Sequence, residues 1–287
     1  MRSIYLKITG IIFLCLITFN IYTKDNDLNT DNIDKILTFD EARKIRFKTP
    51  YIIDLKKGNK HLIFFGSRHS NDPNDPMFNL IEEKINDMKP DIALHEGSTP
   101  RVDVNSPADQ IIINYSEVGF LIYMAKKNNV PYKTTMPPFK YSNDELLKVF
   151  DKDQVFLFYC CREIPGIQRQ SQHKEVDFKS RMSGYIYALK KNGFPYPGGK
   201  FSYDNFLKVY KKEFNQELNW KSFNPEFVYP GFDYTILNKI EEMNSEIHNN
   251  YIVNLIIETL KKYDKVFVVM GSGHAIIQEP ALRSIFK

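Results

Sequence analysis

The chain has 287 residues, of which 43% are hydrophobic and 14% aromatic, enough apolar material to fill the core of one large domain. This composition excludes global intrinsic disorder. The 39 basic and 35 acidic residues are interspersed and leave a net charge of only +4. Without a basic block or a recognition-helix pattern, nucleic acid is not expected as a partner.

Residues 1–23 have the pattern of an export signal. Arg2 and Lys7 precede an apolar stretch over 8–21 that polar residues interrupt. The stretch is short for a membrane span and has no clean cleavage site after it, so it is read as a signal peptide or an N-terminal anchor. We therefore expect an exported protein (periplasmic, secreted or attached to the envelope) whose membrane association is limited to this segment. The polar residues 24–36 are interpreted as a tether.

The folded domain is predicted to span residues 37–287 and to begin with a β-hairpin. Tyr51–Leu55 and His61–Phe65 are apolar runs on either side of a turn that contains glycine. Met77–Met88 carries apolar residues at helical spacing, and the buried strand Asp91–His95 follows it. These segments predict a strand, helix, strand unit.

The next part of the chain continues the alternation of helices and strands. The predicted elements are a helix over Glu117–Asn128, an extended piece over Val130–Tyr132, a helix over Asn143–Phe150 and a strand over Val155–Cys160. Cys160 and Cys161 are interpreted as buried thiols rather than as a strained vicinal disulfide. This alternation predicts an α/β fold with a mainly parallel central sheet flanked by helices.

Residues 162–224 have a different sequence pattern from the preceding segments and are interpreted as a helical insertion or cap over the sheet. This region contains a predicted helix over Val176–Asn192 and a turn rich in proline and glycine over Pro195–Gly199. A long helix over Asp233–Tyr263 then leads into the last predicted strand, Lys265–Met270.

The sequence Gly-x-x-His follows an apolar run twice, at Gly66–His69 and at Gly271–His274, and Glu96 follows a third strand. The carboxyl ends of parallel strands meet at one edge of an α/β sheet, where ligands bind. One copy of so short a motif would decide nothing, but two copies and an acid at matching strand ends favour a site. We therefore predict that His69, Glu96 and His274 form it, while the neighbouring His95 faces the opposite side.

These residue types suit metal-assisted hydrolysis. Imidazole nitrogens and a carboxylate can hold a divalent ion such as zinc, manganese or cobalt, and a water on that ion becomes a nucleophile. We predict His69, Glu96 and His274 as both metal ligands and catalytic residues, with Glu96 as ligand or general base. Gly66 and Gly271 are expected to allow a sharp turn with φ values closed to bulkier residues.

Arginines near the predicted crevice are candidates for binding a substrate carboxylate or an oxyanion. They are Arg68, Arg162 and Arg169, the last two because they follow the predicted strand over Val155–Cys160. His173, Arg181 and His248 rank below them as solvated or structural residues. The sequence has no Gly-x-Ser-x-Gly elbow, His-Glu-x-x-His motif, Walker loop or dinucleotide fingerprint.

Pro90–Glu96, Val266–His274 and the first strand with its Gly-x-x-His resemble the TraB/GumN/TIKI family, which is similar to the erythromycin-esterase-like and ChaN-like proteins. The resemblance covers roughly half of the folded region, at its two ends. It implies an α/β fold with helical insertions, a site of two histidines and a glutamate at the positions predicted above and, in the TIKI branch, divalent-metal-dependent peptide hydrolysis. The arginine that family members carry in the helix before the last strand has no counterpart in Glu246–Tyr251.

Three hypotheses follow for the function. The leading one is an exported, metal-assisted hydrolase that cleaves a peptide or a small ester. The alternative is a non-catalytic envelope protein of the same fold that binds haem, a metal or a peptide, since related branches bind without cleaving and the family arginine is missing. The third is an envelope structural protein in which the motifs are coincidental.

Overall fold

The computed structural model describes residues 28–29, 34–172 and 175–287, so the predicted export segment 1–23 and His173 lie outside the described residues. Within them the chain is an α/β fold, as predicted, with a five-stranded, mostly parallel sheet flanked by helices. The strands are β1 (Tyr51–Lys57), β2 (Lys60–Ser67), β3 (Ile92–His95), β4 (Tyr132–Thr134) and β5 (Lys265–Gly271). The helices are α1 (Phe39–Ala42), α2 (Pro76–Met88), α3 (Ala108–Lys127), α4 (Phe139–Leu146), α5 (Lys152–Ser171), α6 (Phe178–Lys191), α7 (Tyr203–Phe214), α8 (Ile236–Leu260) and α9 (Ser272–Ile285). In this described part, none of the helices combines the length and apolar character needed to span a bilayer.

The sheet has the strand order β1-β2-β5-β3-β4. β1 and β2 form the predicted antiparallel hairpin, and β2, β5, β3 and β4 run parallel to one another. β5, the last strand in sequence, therefore lies between β2 and β3. Ser67 pairs with Gly271, and His95 pairs with Val269, so the carboxyl ends of these three strands lie side by side.

Both faces of the sheet are covered by helices, which explains why its strands are continuous apolar runs. Along β5, Phe267 and Val269 pack against α2 and α3, whereas Val266 and Val268 pack against α8 and α9. All four side chains are fully buried. Each such side chain contributes roughly 1.5–3 kcal/mol of hydrophobic stabilisation relative to an exposed one.

The predicted strand over Val155–Cys160 is wrong, because this segment belongs to helix α5. Asp151 begins the helix with a capping box, in which its side chain accepts from the N–H of Gln154 and the Gln154 side chain accepts in return. Every residue over 155–161 is buried, because other helices surround this part of α5. A helix buried on all sides shows no polar face, so its apolar run imitates a buried strand.

Helices α4 to α8 build a second hydrophobic core beside the sheet. The predicted insertion boundary at residue 162 lies within α5, and Cys160 and Cys161 are buried free thiols in this helical core. Helix α8 connects the two cores, since its first half packs among these helices and its second half packs on the sheet.

Several predicted elements are present with different ends. Helix α3 begins at Ala108 rather than Glu117, and α4 ends at Leu146 rather than Phe150. In the predicted tether, Leu28 and Ile36 pack against the sheet core, and the N–H of Asn29 donates to Ile285 O at 2.9 Å. The described part of that segment therefore contacts the domain.

Candidate functional site

The structure brings His69, Glu96 and His274 together at the carboxyl ends of β2, β3 and β5. Glu96 Oε2 accepts the N–H of Gly271 at 2.7 Å, and Glu96 Oε1 lies 3.6 Å from His274 Nε2. A β-carbon built on Gly271 would stand 2.7 Å from His69 Nε2 and 3.5 Å from Glu96 Oε2. His69 and Glu96 thus lie beside Gly271, and Glu96 also lies next to His274.

The two motif glycines are needed for space and not for an unusual φ, which corrects the sequence-based expectation. Gly271 has φ −57°, and Gly66 also lies outside the left-handed region. A β-carbon on Gly66 would lie 2.7 Å from Tyr51 O and 2.9 Å from Ser272 Cα. In the first motif the left-handed residue is His69 itself, with φ 55°.

His69 is held by Glu117, a residue that the sequence did not single out. His69 Nδ1 lies 2.6 Å from Glu117 Oε1, and this oxygen also accepts the Ser67 hydroxyl at 2.9 Å. Glu117 is buried beside Ser116, a left-handed residue that interrupts α3 and whose hydroxyl donates to Ser70 O at 2.8 Å. Because an ionised carboxylate only accepts, Nδ1 carries the proton, and Nε2 faces Gly271 and Glu96.

His274 is held in the same way by Asn249 of α8. The Asn249 amide nitrogen donates to Ser245 O at 2.8 Å, and its Oδ1 lies 2.9 Å from His274 Nδ1 and 2.8 Å from Gln278 Nε2. The Ser245 carbonyl can only accept, which fixes the orientation of the amide and leaves Oδ1 to accept from Nδ1. Nε2 of His274 is therefore directed at Glu96.

Burial and neighbouring groups shift the pKa values of the site residues in opposite directions. Burial raises the pKa of Glu96, but the neighbouring His274, the N–H of Gly271 and the charge of His69 outweigh it and lower the pKa to about 2. The hydrogen bond to Glu117 raises the pKa of His69 above its usual range, against the effect of burial. The pKa of Glu117 is lowered, because its hydrogen bonds, that from His69 foremost, overcome its burial.

The donor set fits a divalent cation. Both Nδ1 atoms donate away from the cavity, so the acceptors that remain are His69 Nε2, His274 Nε2 and Glu96 Oε1. Neighbouring acceptors repel one another unless a cation or additional protons lie between them. Carboxylate and amide partners on the distal nitrogens are the arrangement that orients histidine ligands of metals. Among the described residues, no group of three or more His, Cys, Asp or Glu side chains is placed to hold a metal ion as it stands. Binding would therefore draw these three side chains closer together.

The three residues open into a cavity of about 560 Å³ between the sheet edge and the helical layer. Arg162, Glu241 and His248 line its opposite wall, with Arg162 Nη2 at 3.7 Å from Glu241 Oε1. Burial raises the pKa of Glu241 despite the charge of Arg162. Burial, Arg162 and His274 lower the pKa of His248 to about 4, so the ring is neutral at physiological pH.

The three predicted substrate-binding arginines have different positions. Arg162 lines the cavity, but from helix α5 and not from a strand end. Arg68 also lines it, while its Nε donates to Asp75 Oδ2 at 2.8 Å at the start of α2. Arg169 lies in a different cavity beside Trp220, away from the candidate site.

His95 lies outside the site, as predicted from strand alternation. Its buried ring contacts Glu96 O and the Thr99 hydroxyl, each at 3.1 Å. Burial lowers the pKa of His95. The ring is therefore a neutral structural group behind the sheet edge.

Comparisons with protein families, with characterised proteins and with solved structures give no match for this chain. The site is therefore defined by its own geometry: two oriented imidazoles and one carboxylate at the sheet edge, in one cavity with a buried acid and an arginine. The cavity therefore contains nitrogen and oxygen donors together with the Arg162 side chain.

Proposed function

We propose that the protein is an exported hydrolase that cleaves a peptide or ester bond with a divalent cation held by His69, Glu96 and His274. The observation that carries the proposal is the direction of both Nε2 atoms toward Glu96, fixed by Glu117 and Asn249. The resemblance to the TraB/GumN/TIKI family supports the same reaction class. The proposal of export rests on the sequence pattern of residues 1–23.

Each residue of the cavity has a chemical role under this proposal. A bound cation such as zinc, manganese or cobalt supplies Lewis acidity and a water of lowered pKa. Glu96 Oε2 accepts the N–H of Gly271 at 2.7 Å, which holds the carboxylate in place and leaves Oε1 to serve as a ligand. Glu241, whose pKa burial raises, is the carboxyl suited to deliver a proton to the leaving group, and Arg162 is placed to bind an anionic group of the substrate.

Paired variants test the proposal. His69→Ala and Glu96→Gln are expected to reduce kcat/KM on a panel of peptides and esters by at least about 100-fold and to remove bound metal, with an unchanged circular dichroism spectrum. His61→Ala is the matched control, because His61 lies at the other end of β2, where it pairs with Asp54 at 2.8 Å. Activity retained in both site variants would exclude this site.

The same preparation tests binding without turnover. A protein that retains a metal or haem in near-stoichiometric amount, but hydrolyses nothing in the panel, is a binding protein, the alternative function. Loss of that ligand in His69→Ala and His274→Ala would assign it to the same residues. If the protein binds no ligand and hydrolyses nothing, only the third hypothesis, an envelope structural protein, remains.

A further inference from the structure

A second cavity, of about 410 Å³, adjoins the candidate site; we call it the side pocket. Met136, Arg162, Asn244 and His248 line both cavities, so the side pocket begins where the wall of the site carries Arg162. The remaining walls come from the helical layer and include Phe139, Ser142, Tyr159, Tyr185, Leu189 and Asn192. A molecule whose reacting bond lies at the sheet edge can extend past Arg162 into this space.

Two hydroxyl groups in the wall of the side pocket are almost closed to solvent and have no partner within the described chain. Tyr159 and Ser142 are 6% and 5% exposed, and neither hydroxyl makes a hydrogen bond there. Leaving a buried polar group unpaired is unfavourable, and a ligand that reaches it and hydrogen-bonds to it removes that cost. Burial raises the pKa of Tyr159 to about 12, so its hydroxyl keeps its proton. Because Phe139 and Leu189 form apolar walls, the pocket suits a side chain with an apolar body and a polar tip.

Arg162, at the junction of the two cavities, carries a charge that its neighbours only partly compensate. Its distance of 3.7 Å to Glu241 Oε1 is beyond hydrogen-bond range. Burial raises the pKa of both Glu241 and Glu163, which favours their neutral forms. A guanidinium with open donors binds a carboxylate in a bidentate manner.

We propose that the site recognises the C-terminal residue of a peptide or an N-acyl amino acid. Arg162 binds the free carboxylate, the side pocket takes the side chain, and the amide bond of that residue lies at His69, Glu96 and His274. In the reaction, the oxygen of water bonds to the amide carbonyl carbon, the C–N bond breaks and the nitrogen takes a proton. The products are a free amino acid and a shortened carboxylic acid. This inference rests on the proposed function and names its substrate class.

Equilibrium binding tests the carboxylate contact without requiring turnover. N-acetyltyrosine and N-acetyltyrosine amide are titrated by calorimetry into chelator-treated protein, so that no cation competes for the carboxylate. We expect the acid to bind at least about 10-fold more tightly than the amide, and Arg162→Gln to abolish the difference. Arg169→Gln, a change seven residues further along the same helix in a separate cavity, should preserve it. Equal binding of acid and amide by the unmodified protein would overturn the inference, as would a difference that survives in folded Arg162→Gln protein.

The side pocket is tested with ligands that differ only in side chain. N-acetyltyrosine should bind more tightly than N-acetylphenylalanine, and both more tightly than N-acetylglycine. Tyr159→Phe should reduce the preference for tyrosine over phenylalanine and leave the preference over glycine. If N-acetylglycine binds as tightly as N-acetyltyrosine, the side pocket is not the recognition pocket.

Hydrolysis separates this inference from the proposed function. Release of the C-terminal amino acid from a peptide, with a kcat/KM reduced about 10- to 100-fold by C-terminal amidation, supports both. Hydrolysis that ignores amidation supports the proposed function and overturns the inference. Carboxylate-dependent binding lost in Arg162→Gln, without hydrolysis of any peptide, keeps the recognition site and rejects the hydrolase.

Discussion

Gly271 and His69 approach each other so closely that a β-carbon on Gly271 would stand 2.7 Å from the Nε2 atom. Gly271→Ala is therefore expected to displace the His69 ring from Glu96. Because the obstacle is the free end of a side chain, the free energy of unfolding should change by less than about 1 kcal/mol, while kcat/KM falls by roughly 10-fold or more.

Gly273→Ala is the matched control for this change, since a β-carbon there has no heavy atom within 4 Å. Thermal unfolding and steady-state kinetics on both variants check the expectation. Equal activity in the two variants would show that the contact between Gly271 and His69 does not position the ring.

Gly66→Ala should damage the fold and not only the site. Its β-carbon would meet two backbone atoms, Tyr51 O and Ser272 Cα, which cannot rotate away as a side chain does. We expect the free energy of unfolding to fall by about 1–3 kcal/mol, measured by urea denaturation. If the variant is as stable as the unmodified protein, β1 and α9 can move apart without a loss of folding free energy, which would contradict this prediction.

Glu117→Gln should lower the pKa of His69, because the hydrogen bond to the carboxylate is what raises it and burial alone lowers it. A raised folded-state pKa contributes stability that is full below the usual value of 6.5 and is lost as pH rises through the raised value. The stability lost in Glu117→Gln should accordingly be larger near pH 6 than near pH 9. Titration of the histidine ring signals by NMR measures the shift, and the His95 signal, from a ring that contacts other groups, should not move. An unchanged His69 pKa would contradict the pairing.

Asn249→Leu should weaken divalent-cation binding by about 10- to 100-fold, because the amide orients the His274 ring and fixes its neutral tautomer. Asn250→Leu is the control, since Asn250 is the adjacent, exposed residue of α8. Cobalt titration followed by visible absorbance gives both affinities. Affinity should also decrease as pH falls, because a proton competes with the cation for each Nε2. Equal affinities in the two variants would remove Asn249 from the site.

The part of the site carried by strands could be predicted, and the part carried by helices could not. His69, Glu96 and His274 each follow a buried apolar run, and the parallel pairing of β2, β5 and β3 places their ends at one edge. Neither the Gly-x-x-His spacing nor strand periodicity contains information about Glu117 or Asn249, which reach the site through helix packing. The one available signal was a polar residue within an apolar helical segment, as Glu117 is between Ile112 and Phe120.

The error over residues 155–160 has a local physical cause. Hydrophobic periodicity cannot distinguish a strand from a helix that is buried on every side, and α5 is such a helix. The capping pair Asp151 and Gln154 was present in the sequence and indicates a helix start. Because residues 155–160 are helical, Arg162 does not follow a strand end. It lines the cavity from helix α5 instead.

Since β5 is inserted between β2 and β3, the two earlier strands do not hydrogen-bond to each other. Residues 265–271 form the strand that joins the β1–β2 hairpin to the β3–β4 pair. His274 follows this same strand, so the segment that completes the sheet also supplies the third side chain of the candidate site.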